Sequence, residues 1–436
     1  MPWHAAESAA RQSRHASACG WTVPGNSVFN RYFQRLYCPW LAAVPCHSAR
    51  PEISPVKAAP KAILVSAGEA SGEYYAAELV AQLKEQFPDC DFFGCAGPKL
   101  RKAGVRAVVR TEDLAVVGLV EVLHHLPRIW QRFQTLIAAA QETKPALAIL
   151  TDSPDFHFRV AAKMKKQGVP VLWLVAPQVW AWRKGRVKTM RKVIDSLLCI
   201  FPFEVAFFSQ HQVPAKFIGH PLALRVKPSL SREEFFRKHN LPLHRPLIAM
   251  LPGSRSSEAM RHLPELRRAA EILSRDRQMS FLLPTSPTIG TGRFSEALVG
   301  SPIRAIEGEA WDTMAHCDVA LAASGTVTVE AALLGAPMVT YYRVTPLSWA
   351  IGKVLVDVPF YAMVNLIAER SIVKELMQDD MTGENLAAET VRILDNPDVR
   401  AKMKEDLCGV AAKLAFDGDP IAHAASEVVR LLEVRN

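Results

Sequence analysis

An aspartate that closes a buried run, as Asp152 does in "LAILTDSPDF", stands where a strand ends and the next helix has yet to begin. A carboxylate in that place takes a proton from an attacking hydroxyl once burial or neighbouring charge raises its pKa. The same residue also suits a helix N-cap ahead of Pro154, with Asp155 as a first-turn partner of the helix dipole. A second turn, in "ILVSAGEASGE", carries Glu69, Ser71 and Gly72. Its glycines do not have the spacing of a nucleophile elbow, a phosphate loop or a dinucleotide fingerprint. What is left is a tight strand-to-helix turn with Ser71 as N-cap, whose neighbouring backbone N–H groups can face an anion or a sugar hydroxyl.

Two more such turns occur further along. In "MLPGSRSSE" an apolar run leads to Arg255, whose guanidinium can clamp a phosphate by paired hydrogen bonds. In "AASGTVTVE" Ser324, Gly325 and Thr326 open a helix, with Glu330 one turn in. Backbone donors at such a start hold a diphosphate, and Glu330 is placed to accept from a ribose diol. Each motif alone also reads as an ordinary capped helix; together in one domain they point to a nucleotide-diphosphate site. The run "VAPQVWAWRKGRVKTMRK" sets Trp180 and Trp182 beside six cations. Base stacking on nucleic acid is one use of that pattern, and the expectation here is instead packing between domains, with no nucleic-acid partner.

These turns need strands and helices to position them, and the sequence supplies an alternation. From Lys61, "AILVS" reads as a buried strand, and Ala76, Leu79, Val80, Leu83 and Phe87 then recur at helical spacing. The pattern repeats through "DFFGCAG", a helix near 126–143, "LAILT", a helix through 160–167, "PVLWLV" and "SLLCIF". It restarts after Gly219-His220-Pro221 with "PLIAML", "MSFLLP", "DVALAA" and "PMVTYY". Short apolar strands alternating with helices predict parallel sheets covered on both faces, with ligands beyond the strands' carboxyl ends. The expected organisation is an extension over 1–60, a first Rossmann-like domain over 61–222 and a second over 223–436. The extension is Arg-rich and acid-poor without sustained periodicity.

The 436 residues carry 52 Lys and Arg against 43 Asp and Glu, a formal charge of +9 that favours anionic partners. No CxxC pair or HExxH motif appears, so no metal is expected. No apolar run is long enough to span a membrane. The segments "EDLAVVGLVEVLHHLPRIWQRFQTLI" and "FPFEVAFF" hold more large apolar side chains than one helix face needs. They are expected to rest on a membrane surface or to pack in the core.

In order and spacing, "AGEASGE", "FFGCAGPKL", "LAVVGLVEVL", "DSPDF", "APQVWAWRKGR", "FPFE", "FIGHPL", "LPGSRSSE" and "LAASGTVTVE" resemble the lipid-A-disaccharide synthase family, from about residue 61 to the C-terminus. The resemblance implies a GT-B glycosyltransferase that inverts the anomeric carbon without a metal or other cofactor. It would join UDP-2,3-diacylglucosamine to 2,3-diacylglucosamine 1-phosphate, lipid X, in a β-1,6 linkage and release UDP. It also implies peripheral attachment to the anionic cytoplasmic face of the bacterial inner membrane, and is consistent with a homodimer. On the matching positions, Asp152 would be the general base, Glu69 the glycine-loop glutamate, Arg255 and Glu330 nucleotide-side residues, and Asn365 of "AMVNLIAER" a residue near the cleft. The chain departs from the family pattern at Glu73, where aspartate is usual, and at Ala176 and Gln178. Other readings are a related GT-B UDP-sugar transferase, a UDP-sugar epimerase, or a non-catalytic binding module.

Overall fold

The computed structural model describes residues 59–113, 119–286 and 289–434, with the side chains of 70–71 and 119–126 outside that description. The extension over 1–58, residues 114–118 of the first apolar segment and the side chains of its His124 and His125 therefore lie outside the described residues.

Strands β1 (Ala62–Ala67), β2 (Asp91–Ala96), β3 (Arg106–Arg110), β4 (Leu147–Thr151), β5 (Val171–Leu174), β6 (Ser196–Cys199) and β7 (Ala215–Phe217) form one parallel sheet in the order β3-β2-β1-β4-β5-β6-β7. A second parallel sheet holds β8 (Leu247–Leu251), β9 (Ser280–Thr285), β10 (Ile303–Glu307), β11 (Val319–Ala323), β12 (Met338–Tyr342) and β13 (Glu375–Met377), ordered β10-β9-β8-β11-β12-β13. The central strands are uninterrupted apolar runs because helices cover both of their faces. Ile63, Leu64, Val65 and Leu147 in the first sheet, and Leu247, Ile248, Val319 and Leu321 in the second, have no exposure at all.

Each sheet reverses its winding between its first strand and the fourth, so β1 lies beside β4 and β8 beside β11. In open parallel sheets that reversal leaves a crevice beyond the strand ends, because the two flanking loops diverge to opposite faces. The register pairs Ala67 with Thr151 and Leu251 with Ala322. The glycine turn and Asp152 therefore leave the first sheet side by side, as Pro252-Gly253 and Ser324-Gly325 leave the second. Two doubly wound α/β domains result, as the alternation predicts.

Helix bounds differ from the periodicity in two places. The helix expected from residue 160 starts six residues earlier, with Pro154 in its first turn. A proline there gives up only an N–H that would have no helical partner anyway. The helix expected from 126 spans Leu119–Thr143 and carries Pro127 inside it.

The last helix, Pro420–Val434, returns to the first domain and packs on the helix Ala70–Gln86 and on β4. There the Glu427 carboxylate accepts from Ser196 Oγ at 2.6 Å and from Lys216 Nζ at 2.7 Å. Trp182 pairs with Val356 in an isolated bridge, and Lys184 reaches Asp357 at 2.7 Å. The Trp/Arg run thus joins the two domains, with Arg183 stacked on Trp182 and both Arg183 and Arg186 on Asp155. In "FPFEVAFF", Phe201 and Phe208 are buried and Phe203 packs edge-on against Trp180, so this segment is core.

Candidate functional site

The Asp152 carboxylate sits beneath the glycine turn. Gly68 N–H donates to its Oδ1 at 2.6 Å and Glu69 N–H to its Oδ2 at 3.1 Å. The approach is close enough to require glycine: a Cβ on Gly72 would stand 2.2 Å from Asp152 Oδ2, and one on Gly68 would stand 2.2 Å from Ser153 Oγ. The side chain keeps 13 % exposure. Burial pushes its pKa up to about 7; the two backbone hydrogen bonds oppose that shift and the Glu69 charge adds to it. A carboxylate poised there loses and regains a proton near neutrality, as a general base must.

The backbone that presents Asp152 is strained. Asp152 and Ser153 both take positive φ, 51° and 36°, a region costly for residues with a side chain. His157 holds this conformation from below. Its Nδ1 lies 3.0 Å from the Asp152 carbonyl and its Nε2 lies 2.7 Å from Ser66 Oγ. A carbonyl only accepts, so Nδ1 carries the proton and the Ser66 hydroxyl donates to Nε2. Burial pulls the His157 pKa down to about 4, which keeps the ring neutral in this role. Sequence reading passed over His157; the signal is its place one turn into the helix that begins just after Asp152.

The second crevice is a cavity of about 770 Å³, lined by Gly253, Ser254, Ser286, Trp311, Glu330 and the Ser324–Thr326 helix start. Ser324, Gly325 and Thr326 therefore stand at one mouth with Glu330, as expected from the sequence. Burial pushes Glu330 up to about 7, against a hydrogen bond from Trp311. Ser324 Oγ donates to the Tyr361 carbonyl at 2.8 Å. Across the domain boundary, Tyr75 is close enough to Glu330 for that charge to raise its pKa.

Other expected residues lie elsewhere. Arg255 is exposed at the N-cap of the helix Ser256–Asp276 and does not line the cavity, although Ser254 and Glu258 on either side of it do. Asn365 is fully buried, and both ends of its amide are taken. Nδ2 donates to Val373 O and Glu375 Oε1, and Oδ1 accepts from Ile372 N and Val373 N. Glu375 in turn accepts from Tyr361 N and Ala362 N, so Asn365 braces the segment that Ser324 touches. Ser71 opens the helix Ala70–Gln86, but Glu69 takes the N-cap position and the Ser71 side chain is outside the described residues. Glu73 is buried and accepts from Leu100 N at 2.9 Å, capping the helix Pro98–Lys102. Among the described residues no cluster of three His, Cys, Asp or Glu side chains could hold a metal ion. None of the described helices is long and apolar enough to cross a membrane.

The lipid-A-disaccharide synthetase family matches residues 63–418. A lipid-A-disaccharide synthase of Solibacter usitatus is 58% identical over 371 residues, 85% of this chain and 97% of that protein. One from Acidobacterium capsulatum is 41% identical, over 82% of this chain and 92% of that one. Among solved structures, Acinetobacter baumannii MurG superposes with a TM-score of 0.51 at 14% identity, covering 85% of this chain and 98% of that one. A Neisseria meningitidis UDP-GlcNAc 2-epimerase bound to UDP-GlcNAc gives 0.57 at 12% identity, covering 86% and 100%. At these identities the structural likeness speaks for the fold. With the family match and the two switch-point crevices together, the chain belongs to the lipid-A-disaccharide synthetase family of glycosyltransferases and has the GT-B fold.

Proposed function

We propose that the protein transfers 2,3-diacylglucosamine from UDP-2,3-diacylglucosamine to the 6-hydroxyl of 2,3-diacylglucosamine 1-phosphate, giving the β-1,6 disaccharide 1-phosphate and UDP. The observation that carries this reading is the Asp152 carboxylate, buried at the first switch point with a pKa of about 7 and facing a glycine turn. As the acceptor oxygen bonds to the anomeric carbon, its proton passes to Asp152 and the bond from that carbon to the donor phosphate breaks. Attack from the face opposite the leaving phosphate inverts the centre. The diphosphate charge that develops on UDP is met by the helix start at Gly325–Thr326, since the first N–H groups of a helix have no partner within it; the Ser324 N–H itself donates to the Tyr341 carbonyl. Glu330 suits the ribose diol.

Glu69 contributes its backbone N–H and its charge to Asp152 rather than a second proton-transfer group. Trp130, 52 % exposed and stacked on Phe133, fits attachment at a membrane surface, since an indole prefers the headgroup region. The +9 formal charge favours an anionic one.

Purified protein is to be given the UDP-sugar donor with and without the acceptor in detergent, with a chelator present, and UDP and disaccharide followed. Acceptor-dependent release of both is expected. Donor turnover without acceptor, with interconversion of UDP-sugars, would replace the transferase reading by an epimerase one. No turnover from folded protein would refute the choice of substrates.

A further inference from the structure

The linker between the domains places Arg225 in the wall of the second-domain cavity. Its guanidinium is divided between two tasks. Nη2 donates to Glu78 Oε2 on the helix Ala70–Gln86 of the first domain, and the rings of Tyr74 and Tyr75 flank the cation at 5.0 and 5.8 Å. Nη1 is buried and has no acceptor. A desolvated guanidinium N–H without a partner is costly, and such orphans cluster where a ligand completes the set. Ser286 Oγ, on the same cavity wall, is a second buried polar atom with no partner.

Four acids also line the cavity, and their charges are largely committed. Asp312 accepts from Ser229 N, Ser229 Oγ and Leu230 N, and Glu309 is paired with Lys238 and His239. Glu258 accepts from Tyr342, and burial raises Glu330 toward its neutral form. Arg225 and the exposed Lys227 are the cations that line the cavity, together with the helix start at Thr326. A ligand with several acceptor oxygens, such as a diphosphate, answers all three donors: Nη1, the Ser286 hydroxyl and the helix N–H groups.

We infer that Arg225 is the guanidinium that binds the diphosphate of the nucleotide donor and that, through Glu78, it ties the first domain to the occupied cavity. This rests on the UDP-sugar reading given above and names a residue that the expectation for Arg255 did not include. The ligand stabilises the second domain, the linker and the first-domain helix as one unit, because the same cation touches both its oxygens and Glu78.

The test compares UDP with uridine, which lacks the phosphates, by calorimetric titration of wild type, Arg225→Ala and Arg225→Lys. Loss of one charge-assisted, partly buried contact is expected to weaken UDP on the order of 10- to 100-fold in Arg225→Ala, with partial retention in Arg225→Lys. Uridine affinity should stay within about twofold, and the salt dependence of UDP binding should become shallower in Arg225→Ala. If both nucleotides weaken equally, Arg225 acts only on the shape of the cavity and the inference fails. Unchanged UDP affinity in either variant overturns it as well, leaving the transferase reading intact. Wild-type protein that binds no UDP would overturn that underlying reading instead. Glu78→Gln provides a control that keeps the cation: UDP should still bind within a few-fold of wild type, with the loss confined to turnover.

Discussion

Replacing Asp152 by asparagine separates its chemistry from its cost. The shift from an ordinary 3.8 to about 7 is roughly three pH units, or about 4 kcal/mol at about 1.4 kcal/mol per unit. The folded pKa of this acid lies above its unfolded value, so the folded state holds the proton more tightly. Stability from this group is therefore present below about pH 4 and is lost as pH rises toward 7, where the buried charge forms. Asparagine carries no charge to bury. It also presents one NH₂ where the carboxylate accepted, and cannot serve both Gly68 N–H and Glu69 N–H, a loss of about 1–3 kcal/mol. The variant should thus gain about 1–3 kcal/mol over wild type at about pH 8 and lose that advantage at about pH 5, read from urea midpoints at the two pH values. Turnover should fall about 10²- to 10⁴-fold, the range for removing a general base. In wild type, kcat/KM should rise about tenfold per pH unit below 7 and flatten above it. Full turnover in the asparagine variant, or a flat rate between about pH 5 and 8, would refute the assignment of the base.

Three further substitutions probe the same architecture. Gly72→Ala drives a Cβ into Asp152 Oδ2, so turnover should drop about 100-fold while circular dichroism stays native. Asn365→Ala strands the N–H groups of Ile372 and Val373 and should cost about 2–4 kcal/mol in denaturant unfolding; unaltered stability with lost activity would instead make Asn365 a substrate contact. Glu73→Asp withdraws the acceptor from Leu100 N and should lower stability by about 1 kcal/mol, with kcat within about twofold of wild type.

The central strands were legible because burial on both faces writes them as unbroken apolar runs: β1, β4, β8 and β11 all carry that signature. Shorter or edge strands were not. β3 is "RAVVR", β7 "AKF", β10 "IRAIE" and β13 "ELM", each too short or too polar to stand out because an edge exposes part of its surface. The site divides along the same line. Asp152 and the Ser324–Thr326 turn could be placed because they end central strands, and a strand end fixes position almost without regard to side-chain direction. Arg255 also follows a central strand, yet its side chain is exposed at a helix cap, and nothing in its spacing distinguishes outward from inward. Arg225 and His157 were invisible for a different reason: one lies in a connector, and the other has its value only through a carbonyl it supports.

The return of the final helix to the first domain also sets a timetable for synthesis. Ser196 and Lys216 emerge from the ribosome some two hundred residues before Glu427, the carboxylate that receives both. Until then the face of the helix Ala70–Gln86 that meets Pro420–Val434 has no cover. The second domain can close on itself first, while the domain made earliest is finished last. A chain cut short by its last fifteen or so residues would thus be expected to fail at its beginning, and a nascent chain is exposed to chaperones and proteases there for as long as the rest is being made.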